Sequence, residues 1–165
     1  ASFVNGMIFF GMIVGSPLFG AWSDKIKRRK MPMVIGAIAC LLVFSAIMFL
    51  PNLGVATLAV LFFLLGVVIS CQVLSYPVVA ESNLLSLTGT AEGVASFLIM
   101  SGGFTISLFA YLLNMDWSHK MAGRVPVYSA LSYQHGLSLM LVAFVLALVM
   151  SLFIRETNCK NFDEA

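Results

Sequence analysis

Long uncharged stretches dominate the chain and predict its elements. They cover residues 1–23, 31–80, 93–115 and 125–154, and a turn at Pro51-Asn52-Leu53-Gly54 divides the second. A transmembrane helix needs about 20 mostly apolar residues, so these stretches and the dividing turn predict five membrane-spanning helices. The predicted spans, first to fifth, are Phe3–Trp22, Met31–Leu50, Val55–Ala80, Gly93–Leu113 and His135–Ile154. We therefore expect an all-α polytopic membrane fold in one membrane domain, with a tail at residues 155–165.

The composition excludes the soluble classes of protein. Of the 165 residues, 61% are hydrophobic and 10% are charged, whereas a soluble domain carries about 25% charged residues. The five spans also use most of the chain and leave no room for a separate extramembrane domain. A cytosolic enzyme and a nucleic-acid-binding protein are both excluded, and the lipid bilayer is the expected solvent of the chain.

The distribution of Lys and Arg predicts the orientation of the spans. Seven of the nine cationic residues fall on the side that holds residues 25–30 and the tail, and only Lys120 and Arg124 fall on the other. Cytoplasmic loops carry the excess of Lys and Arg, so we expect the N-terminus outside and the C-terminus in the cytoplasm of a bacterial inner membrane. An odd number of spans with an external start points to a preceding helix. Aromatic residues suited to an outer interfacial belt follow the fourth span: Trp117, Tyr128 and Tyr133.

The junction between the first and second spans carries the most specific pattern in the chain. It reads Gly-Ala-Trp-Ser-Asp-Lys-Ile-Lys-Arg-Arg over residues 20–29. This resembles the loop pattern of the major facilitator superfamily of secondary transporters, which is Gly, three residues, Asp, a basic residue, one residue, Gly, and two basic residues. Lys27 replaces the second glycine. The other five fixed positions are met by Gly20, Asp24, Lys25, Arg28 and Arg29.

The resemblance implies both a fold and a mechanism. Members of the family have two six-helix bundles around a central cavity, and this loop acts as a cytoplasmic latch during alternating access. Residues 75–81 and 88–93 resemble the end of the tenth helix and the start of the eleventh. The third span starts without the Arg of many fourth helices, and the fourth lacks the Gly-Pro motif of many fifth helices. The resemblance therefore implies helices eight to twelve, a C-terminal half without its seventh helix.

A second interpretation of the loop needs only its cations. A cluster such as Lys25 to Lys30 is the positive-inside signal that any multispan protein can carry. Asp24 and Gly20 favour the latch, because a carboxylate at the membrane surface can lie against the positive N-terminus of a neighbouring helix. The glycine one turn earlier would let that helix approach closely.

Small residues on the first span predict close helix packing. Gly11 and Gly15, and then Ser16 and Gly20, form two overlapping pairs of small residues four apart. We expect these pairs to pack inside the bundle or against the other half of a transporter. A homodimer interface is the alternative for the same face.

Proline and polar residues mark a candidate solute pathway in the third span. Pro17 and Pro77 lie inside predicted spans and are expected to kink them. Gln72 and Tyr76 are one turn apart, so a continuous α-helix would place them on one face with Ser75 beside it. Neutral polar groups at this depth can bind solute, and helix–helix hydrogen bonding is the alternative of equal weight.

The sequence lacks the residues of a catalytic or metal centre. No Asp, Glu, Lys, Arg or His lies in the middle of a predicted span, so a proton relay would need helices outside this chain. Cys40, Cys71 and Cys159 are odd in number and far apart, which indicates neither a disulfide framework nor a metal site. An intramembrane enzyme is disfavoured because these thiols lack a partner base. We expect no enzyme activity, cofactor or metal.

These observations predict part of a secondary active transporter. It would move a small solute by symport or antiport, and its partners would be the bilayer, the solute and the remaining helices of the same transporter. The alternative is a non-transporting membrane scaffold or assembly protein that acts through helix packing on its first span. The sequence names neither the solute nor the coupling ion.

Overall fold

Five helical spans make up the structure. This computed structural model describes residues 2–50, 53–115, 121–122, 125–126 and 128–160. Five of its helical stretches are long and apolar enough to cross a membrane: Phe3–Ile26, Lys30–Phe49, Val55–Glu81, Leu85–Met115 and Leu131–Phe153. Within the described ranges, β-structure is limited to β1 (Met121–Ala122) and β2 (Val125–Pro126), which pair antiparallel. The predicted all-α polytopic membrane fold is confirmed.

Several helices extend beyond the apolar stretches that predict them. Helix α1 covers Ser2–Ile26 and α2 covers Lys30–Phe49. Nothing in Ser23-Asp24-Lys25 breaks α1, so Asp24 lies in its last turn and the expected position in a loop is wrong. The fifth span forms α7, Ala130–Phe153, which begins earlier than His135 because Ser129 caps it. The Ser129 hydroxyl accepts a hydrogen bond from the Ser132 N–H at 3.1 Å.

The third span is interrupted near its middle. Helix α3, Val55–Ile69, passes into a 3₁₀ segment at Ser70–Leu74, and α4 follows at Ser75–Glu81. Pro77 lies in the first turn of α4, where its missing N–H removes no helical hydrogen bond. The interruption thus lies just before Pro77. The proline ring clashes with the backbone of the preceding turn, so a continuous α-helix is disfavoured there.

The fourth span is interrupted at two glycines. A short 3₁₀ segment at Leu85–Leu87 leads into α5, Thr88–Ser101, and α6 covers Phe104–Met115. Between them the Gly102 N–H donates to the Ile99 carbonyl at 3.1 Å, in the tight three-residue pattern of a 3₁₀ turn. One continuous helix was expected here, and the Gly102-Gly103 pair is the sequence signal for the interruption.

Glycines bring the backbones of α1 and α3 into contact. A β-carbon added to Gly11 would lie 2.2 Å from the Phe63 carbonyl oxygen, and one added to Gly66 would lie 2.1 Å from that of Ile8. At Gly15 it would lie 2.3 Å from the Ser70 hydroxyl. The Gly11–Gly15 pair therefore packs inside the bundle, as one of the two sequence expectations had it.

Helix α2 lies between α3 and α7, and α6 packs on α7. The Phe44 and Phe144 rings join α2 to α7 in an edge contact with centroids 5.4 Å apart. Cys40 of α2 and Cys71 of the 3₁₀ segment are both free thiols and lie close enough to interact, although 31 positions separate them. This pairing of two free cysteines was not expected from their spacing.

Candidate functional site

The polar contacts of the chain concentrate at one end of the bundle, which we call the basic end. It is the end where residues 27–29 join α1 to α2 and where α4 and α7 both terminate. Three segments that are distant in sequence meet there: the junction of α1 and α2, the end of α4 and the residues after α7. Their contacts centre on one guanidinium, and the group is named the Arg29 cluster: Ser23, Asp24, Arg29, Glu81, Glu156 and Thr157.

Arg29 joins the end of α1 to the end of α4. Its Nη1 donates to Asp24 Oδ1 at 2.6 Å and to Ser23 Oγ at 3.1 Å. Its Nη2 and Nε donate to Glu81 Oε1 at 2.8 and 3.1 Å. A guanidinium presents its N–H groups as a rigid fork, so one side chain can hold two carboxylates in defined positions.

The two ion pairs of Arg29 differ in burial. The side chains of Arg29 and Glu81 are each 10% exposed, whereas that of Asp24 is 65% exposed. Removing one partner of a buried pair costs about 3–5 kcal/mol, while an exposed pair contributes about 0–1 kcal/mol. Glu81, rather than the motif residue Asp24, is therefore the principal partner of Arg29.

The segment after α7 completes the cluster. The Glu156 carboxylate accepts the Arg29 N–H at 2.7 Å and the Lys30 N–H at 3.1 Å, which are the first backbone donors of α2. The Thr157 hydroxyl donates to Glu81. A carboxylate does lie at a helix N-terminus, but it is Glu156, and the expectation that Asp24 would fill this role is wrong.

The charge state of the cluster is set by its geometry. Burial by itself lowers the pKa of Arg29, but the hydrogen bonds that Arg29 donates to Glu81 and Asp24 outweigh it and raise the pKa above its ordinary value. Arg29 therefore stays charged at every physiological pH. Burial raises the pKa of the neighbouring Cys159 thiol against the opposing effect of Arg29, so this thiol stays neutral and is a poor nucleophile.

Lys27 adopts the backbone conformation of the glycine that it replaces. Its φ is 52°, in the left-handed region that glycine favours and that costs other residues about 1–3 kcal/mol. The Ser23 hydroxyl donates to the Arg28 carbonyl at 2.9 Å and braces this turn. The loop between α1 and α2 thus turns through a left-handed residue at Lys27.

The other motif residues lie outside the cluster. Lys25 and Arg28 are exposed, and neither side chain contacts the Arg29 cluster. A β-carbon on Gly20 would meet nothing within 4 Å in the part of the chain that the structure describes. Ser16 hydrogen-bonds its own helix at the Met12 carbonyl, 2.8 Å away, next to Pro17 within α1. At the Gly20 end of the Ser16–Gly20 pair, no described residue packs closely against α1.

The solute-pathway candidates occupy the interruption of the third span. Gln72 is exposed, Ser75 and Tyr76 are half-buried, and no described residue hydrogen-bonds their side chains. The 3₁₀ segment ends at Leu74, before Ser75 and Tyr76 begin α4. A shared face for Gln72 and Tyr76 stays a prediction.

Of the six members of the cluster, only Asp24 and Arg29 were predicted from the sequence, and the other four were missed. Glu156 and Thr157 follow α7 within four residues, on the side of the predicted topology that holds the basic loop. The sequence signal for Glu156 was a carboxylate close to the end of a span on the same side as the basic loop. The same signal applied to Glu81. Part of the predicted outer belt is described, with the Tyr128 and Tyr133 rings 6.0 Å apart. Other residues of that region lie outside the described part: Trp117, His119, Lys120 and Arg124.

Comparison of the chain with protein-family models, with curated proteins and with solved structures found no match.

Proposed function

We propose that the chain is part of a secondary transporter of the major facilitator type and that the Arg29 cluster is its conformational latch. The observation that carries the proposal is the Arg29 guanidinium, nine-tenths buried and bonded to both Asp24 and Glu81. A topology signal needs only exposed cations, and it does not require a buried cation that holds two carboxylates. The latch interpretation accounts for the burial and for the carboxylates.

The contacts of the cluster are suited to opening and closing. They join the ends of α1, α4 and α7 and the start of α2, and all of them are polar contacts at a helix terminus. Water can replace such contacts when helix ends separate, whereas buried apolar packing has no substitute in water. In the proposed cycle the cluster is intact in one access state and broken in the other.

The middle of the third span supplies the proposed solute contact. Transporter sites lie near the bilayer midplane at interrupted helices, where backbone and neutral polar groups face a cavity. Gln72 and Ser75 lie at such an interruption, and no described residue engages their side chains. Their availability favours solute binding over helix–helix hydrogen bonding.

The fourth span has the surface expected of a helix that packs against a partner. Only 6% of the most apolar 18-residue stretch of this span is buried inside the bundle, whereas 33% of the corresponding stretch of the third span is buried. Thr105 and Ser107 are among its exposed residues. Polar groups are disfavoured in lipid, so we assign this surface to the remaining helices of the transporter. We further propose helices eight to twelve, the bacterial inner membrane and a cytoplasmic basic end.

The scaffold alternative is weakened because the surface that it needs is already packed inside the bundle. It depends on the small residues of α1 binding a partner helix, but a β-carbon added to Gly11 or Gly15 would collide with the backbone of α3, so both glycines already face that helix. The remaining Ser16–Gly20 pair is the part of that face left for a partner. No observation favours a scaffold over the latch.

The substitution Asp24→Asn in the complete gene product tests the proposal. The exposed pair contributes about 0.2–1 kcal/mol, so the variant should fold and insert normally while the balance of access states shifts by up to about fivefold. We expect transport to slow by a similar factor and cysteines that line the cavity to change their accessibility to a thiol reagent.

Glu92→Gln is the matched control. Glu92 lies in α5 and makes no ion pair within the described ranges, so its loss should leave both readouts unchanged. If Asp24→Asn behaves like this control, the loop is only a topology signal and the latch proposal fails.

A further inference from the structure

A groove beside the Arg29 cluster carries a second binding site. It lies between the start of α2 and the end of α7, and its volume of about 580 Å³ is in the range of small-molecule sites. Its lining combines two cationic residues, Arg28 and Lys30, with apolar residues that include Met31, Ile35 and Leu152. A cationic mouth with an apolar wall is suited to an amphipathic anion.

The cations of the groove are free to bind. The Arg28 side chain is exposed and has no hydrogen bond or ion pair within the described chain. Lys30 Nζ donates once, to the Leu152 carbonyl at 2.6 Å, and keeps two further N–H groups. The Leu152 carbonyl belongs to the last turn of α7, so Lys30 bridges the two helices at the groove.

A carboxylate also lines the groove, and its oxygens are engaged. Glu156 accepts the backbone N–H groups of Arg29 and Lys30. Two cations and one carboxylate leave a formal charge of +1 in the lining. A phosphodiester with a single negative charge would neutralise it.

The apolar wall distinguishes a lipid from a soluble anion. Met31, Ile35 and Leu152 are exposed, and they lie on helices that are long and apolar enough to cross the bilayer. An acyl chain would cover these side chains, whereas inorganic phosphate or a sugar phosphate would leave them uncovered.

We propose that this groove binds one anionic phospholipid, with its phosphodiester on Arg28 and Lys30 and an acyl chain along Met31, Ile35 and Leu152. The inference rests on the orientation given under Proposed function, because anionic lipids concentrate in the cytoplasmic leaflet, where basic pockets between helices bind their headgroups. It adds a lipid ligand to the proposed transporter and does not depend on the latch.

The test is retention of phosphatidylglycerol by the complete gene product. The purified protein is placed in nanodiscs of phosphatidylcholine with phosphatidylglycerol, and the retained lipids are counted by mass spectrometry. The double variant Arg28→Gln/Lys30→Gln should weaken retention by about tenfold or more, since each cation near a membrane surface contributes about fivefold. Added inorganic phosphate should not displace the lipid.

The double variant Lys25→Gln/Lys27→Gln is the charge-matched control, because neither residue lines the groove. In about 1 M salt the screening length falls to about 3 Å, so diffuse attraction disappears while direct contacts persist. Under that condition the control should retain the lipid as the wild type does. Equal losses in both double variants, or no retention by the wild type, would overturn the site.

Two further variants keep the outcome interpretable. If the groove variant does not fold, Arg28→Gln alone replaces it, with an expected loss of about fivefold. Asp24→Asn should leave lipid retention unchanged, because Asp24 does not line the groove. If the lipid is retained specifically but Asp24→Asn transports normally, only the latch is refuted. If Asp24→Asn slows transport but the lipid is not retained specifically, only the lipid site is refuted.

Discussion

The Arg29 cluster depends on the properties of arginine at one position. Lysine would carry the same charge, but as a compact ammonium it could not hold Glu81 through two nitrogens while also reaching Asp24. Four other residues near the loop each carry the same single positive charge as Arg29, but their side chains do not belong to the cluster: Lys25, Lys27, Arg28 and Lys30. The buried position and the fork geometry, and not the net charge, select Arg29.

Lys27 is a residue in a conformation that suits glycine. Lys27 has a φ of 52°, so Lys27→Gly should remove backbone strain, although glycine also raises the entropy of the unfolded chain. The net gain in the free energy of unfolding should be about 1 kcal/mol. Thermal unfolding in detergent should show a midpoint higher by about 2–4 °C. The control Lys25→Gly lies inside α1 and should lose about 1 kcal/mol. Equal destabilisation by both substitutions would contradict the left-handed turn.

At the scale of elements, glycine contacts determine how closely α1 and α3 approach. Gly11→Ala and Gly66→Ala would each press a methyl group into a carbonyl of the other helix and should destabilise the fold by about 1–3 kcal/mol. Gly20→Ala is the control. It meets nothing within 4 Å among the described residues and should be neutral, or stabilising by up to about 1 kcal/mol through helix propensity. Unfolding midpoints in detergent give the comparison, and identical values for all three variants would refute the close approach.

The 3₁₀ interruption of the third span makes a testable link between element and function. Gln72→Ala and Ser75→Ala should each weaken the apparent affinity for the transported solute by about two- to tenfold, the usual contribution of a hydrogen bond. Tyr76→Phe removes one hydroxyl at the start of α4 and should likewise weaken the affinity by about two- to tenfold.

Ser45→Ala in α2 is the matched control for this series, and it should change the affinity less than twofold. Uptake into proteoliposomes measures all four variants. Small and equal effects throughout the series would favour helix packing as the role of these polar groups.

At the scale of the whole molecule, the topology can be tested without knowing the solute. In a variant with all three native cysteines replaced by serine, Asn52→Cys and Ser118→Cys should react with an impermeant thiol reagent added outside. Lys27→Cys should react only after the membrane is permeabilised. Labelling of Lys27→Cys in intact cells would reverse the proposed orientation. Asn52 and Ser118 serve only as markers of their connections, because both lie outside the described residues.

The sequence by itself determined the class of fold and the number of spans. Both depend on the length of apolar stretches, since a bilayer admits a chain only when each segment satisfies its own backbone hydrogen bonds. It also located the basic end and the small residues of α1, because positive charge and glycine spacing are local properties. The ends of the helices were displaced where a helix continues past the uncharged stretch that predicts it, as at Asp24 in α1 and at Leu85–Leu87 before α5.

Only the tertiary structure decided which groups meet. Arg29 binds Glu81 from 52 positions away, and the Glu156 carboxylate reaches α2 from 127 positions away. No local pattern distinguishes Arg29 from its four cationic neighbours or Glu81 from Glu92. The choice follows from how α1, α2, α3 and α7 pack, which brings the ends of α4 and α7 to the same turn. Partners that depend on helix packing are properties of the assembled bundle, and the order of residues along the chain does not contain them in readable form.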